Sequence, residues 1–200
     1  VCIPPLLYAT FLALKSENRT QFFLVGLLAA LAFVIRYQTV LMSASIGLII
    51  WYQKGFRLAL PILLGFLFGG FIYSGVLDYF LFGVPFHELI GYVEYNMTHA
   101  GEYPNGPWYQ YILIVIALLG LGLPILWIKR IAEDYKRWLI LLIPTLAFFL
   151  FHSYFPNKQE RFILPIIPFV IILGNITARQ DGWNKRLNQL FWVLNIPLLL

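Results

Sequence analysis

Within Asn157-Lys158-Gln159-Glu160-Arg161, two cations and a carboxylate crowd together just before the apolar run that opens with Phe162-Ile163-Leu164. An ammonium is a compact charge with several donors, and a guanidinium presents a planar fork. Together they suit an oxyanion, above all a phosphate, held where polar sequence gives way to apolar sequence. The same residues have a plainer reading: Lys158 and Arg161 reach toward lipid headgroups, and Glu160 is their surface partner. A second stretch, from Asp78 to Trp108, holds Asp78, His87, Glu88, Glu94, Asn96, His99 and Glu102 among aromatics and glycines. Carboxylates and amides interleaved with rings suit sugar hydroxyls and stacking, and a solvated connector would look similar. Arg36 stands between two apolar segments, where a charge is costly. It is either functional or the tip of a hairpin reaching the interface.

Other chemistry is poorly supported. His87 and His99 have no third ligand at a metal-binding spacing, so no metal site is expected. There is no phosphate-cradling glycine loop, nucleophile elbow or Cys/His cluster, and no cofactor is expected. Asn96-Met97-Thr98 matches a glycosylation sequon. Cys2 is the single cysteine, which excludes an internal disulfide.

These residues are separated by long apolar runs. Hydrophobic residues make up 60% of the 200 and charged residues 12%, and mean hydropathy is +0.79. A soluble domain carries roughly 25% charged residues. The expected fold is therefore all-α and polytopic, a single transmembrane domain spanning 1–200. Its membrane segments lie near 1–14, 21–35, 37–52, 58–77, 109–128, 138–155, 162–178 and 188–200, with an outer loop at 78–108. Alternating crossings put eleven of the fourteen Lys and Arg on one side. They leave Arg36, Lys158 and Arg161 opposite, so the eleven mark the cytoplasm. The net charge of +5 does not indicate nucleic acid, because the cations sit in short clusters between apolar runs. Gly65, Gly69 and Gly70 form a small-residue face suited to close helix packing. The chain begins at Val1 without Met and is apolar at both ends, so it is read as a piece of a longer protein.

His152-Ser153-Tyr154-Phe155-Pro156-Asn157-Lys158-Gln159-Glu160-Arg161-Phe162-Ile163-Leu164-Pro165 resembles the H-K-E-E-R-F-x-x-P signature of polyprenyl-phosphate-mannose-dependent mannosyltransferases. These belong to the GT-C superfamily and act in GPI-anchor and lipid-linked-oligosaccharide assembly. Phe33-Val34-Ile35-Arg36-Tyr37-Gln38-Thr39 is similar to the family's R-P-T segment. The stretch from Asp78 to Gly83, then Tyr95-Asn96 and Pro107-Trp108, is similar to its long outer loop ending in H-P-W-H-W-Y. Asn157 stands where the signature has His, Tyr37 where Pro is usual, and Gly106, Tyr109 and Gln110 replace other positions.

The resemblance implies a GT-C-like bundle that moves a sugar, expected to be mannose, from a polyprenyl-phosphate donor to a lipid-linked or glycan acceptor. Transfer would be inverting and on the non-cytoplasmic face. Lys158, Arg161 and Arg36 would bind the donor phosphate. Glu160, Asn157, His152, Asp78, Asn96 and Trp108 would support them or face the acceptor. The family's catalytic carboxylate would precede Val1, so residues 1–200 alone would be inactive. Membrane lipids are the remaining expected partner. A bacterial inner membrane with a periplasmic site is the favoured location, and an endoplasmic reticulum membrane with a luminal site the alternative. The rival readings are a secondary transporter, which would put charges at mid-membrane in broken helices, and a non-catalytic multi-spanning protein.

Overall fold

The computed structural model describes residues 2–99, 102, 105–119, 132, 135–155, 157–177, 186 and 189. The expected segment 188–200 lies outside these apart from Gln189. Among the described residues the fold is helical, and the β-type pairing is the antiparallel bridge between Asn105 and Asn157. The chain forms two compact units, Val1–Tyr103 and Pro104–Leu200.

In the first unit, α1 (Ile3–Ser16) opens on prolines, whose missing N–H groups cost nothing in a first turn. It ends at Glu17 in the left-handed conformation. Asn18 then caps α2 (Arg19–Ile35), its side chain accepting from the Thr20 N–H at 2.9 Å. Extended backbone at Arg36 and a 3₁₀ turn, Tyr37–Thr39, separate α2 from α3 (Val40–Lys54). Gly55, at φ 85°, makes the turn into α4. An ion pair between Lys54 and Glu17 ties the α3–α4 turn to the α1–α2 turn.

Helix α4 runs from Phe56 to Phe82 and is long and apolar enough to cross a membrane; Arg19–Ile35 and Trp138–Tyr154 are shorter apolar helices. Leu63, Leu64, Leu67, Phe68 and Phe71 of α4 are each half exposed, a surface that suits hydrocarbon better than water. The opposite face of α4 packs against α2 at backbone distance. A Cβ at Gly65 would strike the Phe23 carbonyl oxygen, and one at Gly26 would strike the Ile62 carbonyl oxygen. At Gly69 it would lie 2.7 Å from the Ala30 Cβ, whereas Gly70 faces open space. The small-residue face is therefore Gly65 and Gly69, with Gly26 as its counterpart.

Residues 71–76 of α4 form a π-helical stretch. The helix then continues through Asp78, so the segment expected as a connection begins as helix. It includes a further one, α5 (His87–Thr98).

The second unit contains α6 (Gln110–Leu119), α7 (Tyr135–Tyr154), 3₁₀ turns at Glu160–Phe162 and Leu164–Ile166, and α8 (Ile167–Thr177). A helix beginning at Phe162 would have put Lys158 and Arg161 on one helical turn. Instead the α-helix starts at Ile167. Pro165 disfavours α geometry in the residue before it, and Pro165 and Pro168 sit where a missing N–H is tolerated.

Candidate functional site

In the second unit, the end of α7 leaves backbone carbonyls without intrahelical partners. Lys158, 7% exposed, fills that role. Its Nζ donates to the His152 carbonyl at 2.6 Å, the Ser153 carbonyl at 2.7 Å and the Phe155 carbonyl. An ammonium at a helix C-terminus also meets the negative end of the helix dipole. Burial pulls the Lys158 pKa below the ordinary lysine range. The three carbonyl contacts favour the charged form and work against that pull.

Tyr111, fully buried in α6, lies against the same ammonium, its ring centroid 5.3 Å from Nζ. The Tyr111 hydroxyl donates to the Gln159 carbonyl at 2.9 Å and accepts from the Gln159 N–H at 3.1 Å. One phenol thereby engages both backbone groups of Gln159 and is the partner of its N–H. Asn157, 8% exposed, is bridged through its backbone to Asn105, and its Oδ1 accepts from Gln159 Nε2 at 3.4 Å. Gly106 lies so close that a Cβ there would come within 2.7 Å of the Lys158 Cγ and would also strike Gln110 Oε1. Residues 105–111 and 157–161, far apart in sequence, thus share one site.

Arg161 sits on the 3₁₀ turn that follows. It is exposed, with its guanidinium 5.9 Å from the Phe162 ring centre. The Gln159 carbonyl also accepts the Phe162 N–H, at 3.0 Å, which closes that turn. Glu160 heads the turn, and its side chain lies outside the described residues. His152, 3% exposed, stacks on Phe148 at 4.1 Å and hydrogen-bonds through Nδ1 to the Phe148 carbonyl at 2.9 Å. A carbonyl can only accept, so Nδ1 carries the proton. Trp108 is exposed and meets Tyr109 edge-on.

Arg36, Asp78 and Asn96 belong to the first unit. Arg36 Nε donates to Gln38 Oε1 at 3.2 Å, and Gln38 Nε2 donates to the Tyr92 hydroxyl at 3.0 Å. Burial pushes the Tyr92 phenol pKa up, against the nearby Arg36 charge and the Gln38 bond, which lower it. Asp78 is 4% exposed; its Oδ2 accepts the Glu88 N–H at 3.0 Å, at the start of α5, and the Ser74 hydroxyl at 3.4 Å. Asn96 Nδ2 donates to the Tyr92 carbonyl, one turn back, at 2.7 Å. Among the described residues no group of His, Cys, Asp and Glu could hold a metal ion.

Sequence alone does not single out Tyr111 and Gly106 as site residues. The available signal was that Pro107, Trp108 and Tyr111 keep their places in the pattern similar to H-P-W-H-W-Y.

The family model described as the Alg9-like mannosyltransferase family matches residues 4–200. GPI alpha-1,2-mannosyltransferase 3 of Mus musculus is 29% identical over 191 residues, covering 92% of this chain and 34% of that protein. The protein of the same name in Homo sapiens is 28% identical over 193 residues, covering 93% of this chain and 34% of its own length. That of Bos taurus is likewise 28% identical, over 93% of this chain and 35% of its own length. The chain spans about a third of the length of these relatives. They are mammalian and give no support to the expectation of a bacterial inner membrane. No solved structure matches.

Proposed function

This chain belongs to the Alg9-like mannosyltransferase family, and on that premise we propose that it is part of a multi-spanning membrane enzyme that transfers mannose from a polyprenyl-phosphate donor. The acceptor is a lipid-linked glycan, and the relatives' names favour a GPI glycolipid and an α-1,2 linkage. The site faces the lumen of the endoplasmic reticulum. The observation that carries the reading is the joining of 105–111 to 157–161, which ends on the exposed Arg161. The charge asymmetry across the eight expected crossings supports a non-cytoplasmic face for this site. Cysteines placed singly at Asn105 and Glu133 in a Cys2-free chain are expected to label from opposite sides. Labelling from one side would overturn the topology.

In the mechanism, a carboxylate of the complete enzyme takes the proton of the acceptor hydroxyl. That oxygen attacks the anomeric carbon with inversion, and the bond to the polyprenyl phosphate breaks with its electrons leaving on phosphate. A fixed cation stabilises the charge that develops there. Arg161 supplies it. Trp108 serves the acceptor side.

Arg161→Ala in the complete chain should lower donor kcat/KM by about one to two orders of magnitude, because it removes a charge-assisted, two-pronged contact. Arg161→Lys should recover part of that, since charge remains and the fork is lost. Wild-type dependence on donor concentration in both variants, at matched folded amounts, would remove the phosphate site from the proposal.

A further inference from the structure

We propose that Tyr111 is a positioning residue for Arg161, acting through the backbone of Gln159 and anchored by Lys158, with neither Tyr111 nor Lys158 touching the donor. The inference rests on the donor-phosphate role of Arg161. An ammonium has three N–H donors. Those of Lys158 meet the carbonyls of His152, Ser153 and Phe155 in a buried setting. Turning one of them to a phosphate would strand a carbonyl at the end of α7. The side chain is thus committed to the helix end, and its stem is packed against the backbone of Gly106, where a Cβ would collide with Lys158 Cγ and Cβ.

The link to Arg161 runs through a single oxygen. The Gln159 carbonyl accepts from the Tyr111 hydroxyl at 2.9 Å and from the Phe162 N–H at 3.0 Å. The second of these bonds closes the 3₁₀ turn on which Arg161 sits, and the first holds the residue just before that turn to α6. Tyr111 accepts the Gln159 N–H as well, at 3.1 Å, which fixes the orientation of this residue from both sides. A long side chain on an exposed turn would otherwise have to be ordered each time donor binds, at an entropic cost.

The distinguishing variant is Tyr111→Phe in the complete chain. It keeps the ring beneath the Lys158 ammonium and removes both bonds to Gln159. Donor KM should rise about ten-fold, the effect of losing buried hydrogen bonds, with acceptor KM unchanged. In an Arg161→Ala background the same substitution should leave donor KM where Arg161→Ala put it, because the two residues act as one unit. Two results overturn the proposal: a Tyr111→Phe donor KM like wild type while Arg161→Ala raises it, or full additivity of the two. If Arg161→Ala itself leaves donor KM unchanged, the functional reading fails instead, and a melting temperature lowered by Tyr111→Phe would then mark a purely structural clamp.

Discussion

Lys158 and Asp78 are both charged, both buried and both expected from sequence to serve a ligand, yet each is turned to the end of a helix. Lys158 gathers carbonyls at the C-terminus of α7. Asp78 accepts an N–H at the N-terminus of α5. The signs are those that the helix dipole rewards at each end. In Arg161 and Arg36 the structure retains cations that are exposed or half-buried and lie at breaks between helices. The buried charges hold the segments in place, and the proposed binding role falls to the exposed Arg161. The device also differs between the two regions. The ammonium meets three acceptors and an aromatic face, whereas the carboxylate meets one backbone donor and a long bond from Ser74. The lysine end should therefore matter more.

That difference is measurable. Lys158→Met keeps the stem and strips the charge, leaving buried carbonyls unmatched. It should cost roughly 3 kcal/mol of stability, read as a lower unfolding midpoint of the complete chain in detergent. If Met is tolerated thermally but donor KM rises sharply, Lys158 reaches the phosphate and the parallel with Asp78 breaks. Asp78→Ala removes a helix cap and should cost about 1 kcal/mol by the same assay. Hydrogen exchange should quicken at the start of α5 and not at the end of α7. Asp78→Asn keeps an acceptor oxygen and should cost less still. A loss of turnover in Asp78→Asn at unchanged stability would instead point to a carboxylate that does chemistry, sharpening the contrast in the other direction.

The pattern that made Arg161 and Lys158 stand out was legible because a cation cluster before an apolar run is rare and its residue types are specific. Their division of labour was not. Which of two neighbouring cations points inward depends on where α7 ends and on whether the next helix begins at once. Pro165 and Pro168 hold that start back to Ile167. The long segment after Asp78 was legible in its chemistry but not in its helicity. His87–Thr98 is weakly apolar, and its helix is seeded from outside by Asp78 and by the fold of Phe86 onto Ser74.

Residue type and order by themselves determined that the chain is helical and apolar, that the α2–α3 break falls at Arg36, that glycines in α4 suit close packing, and that the family's signature residues are present. Hydropathy and local propensity are properties of short windows, so a sequence carries them openly. Only the tertiary structure decided that Gly26 is the counterpart of Gly65, that Tyr111 holds Gln159, and that Lys158 closes α7 while Arg161 stays outside. Each of these joins residues distant in the chain or chooses between neighbours of like charge. That choice is made by which backbone groups the packed helices leave unpaired.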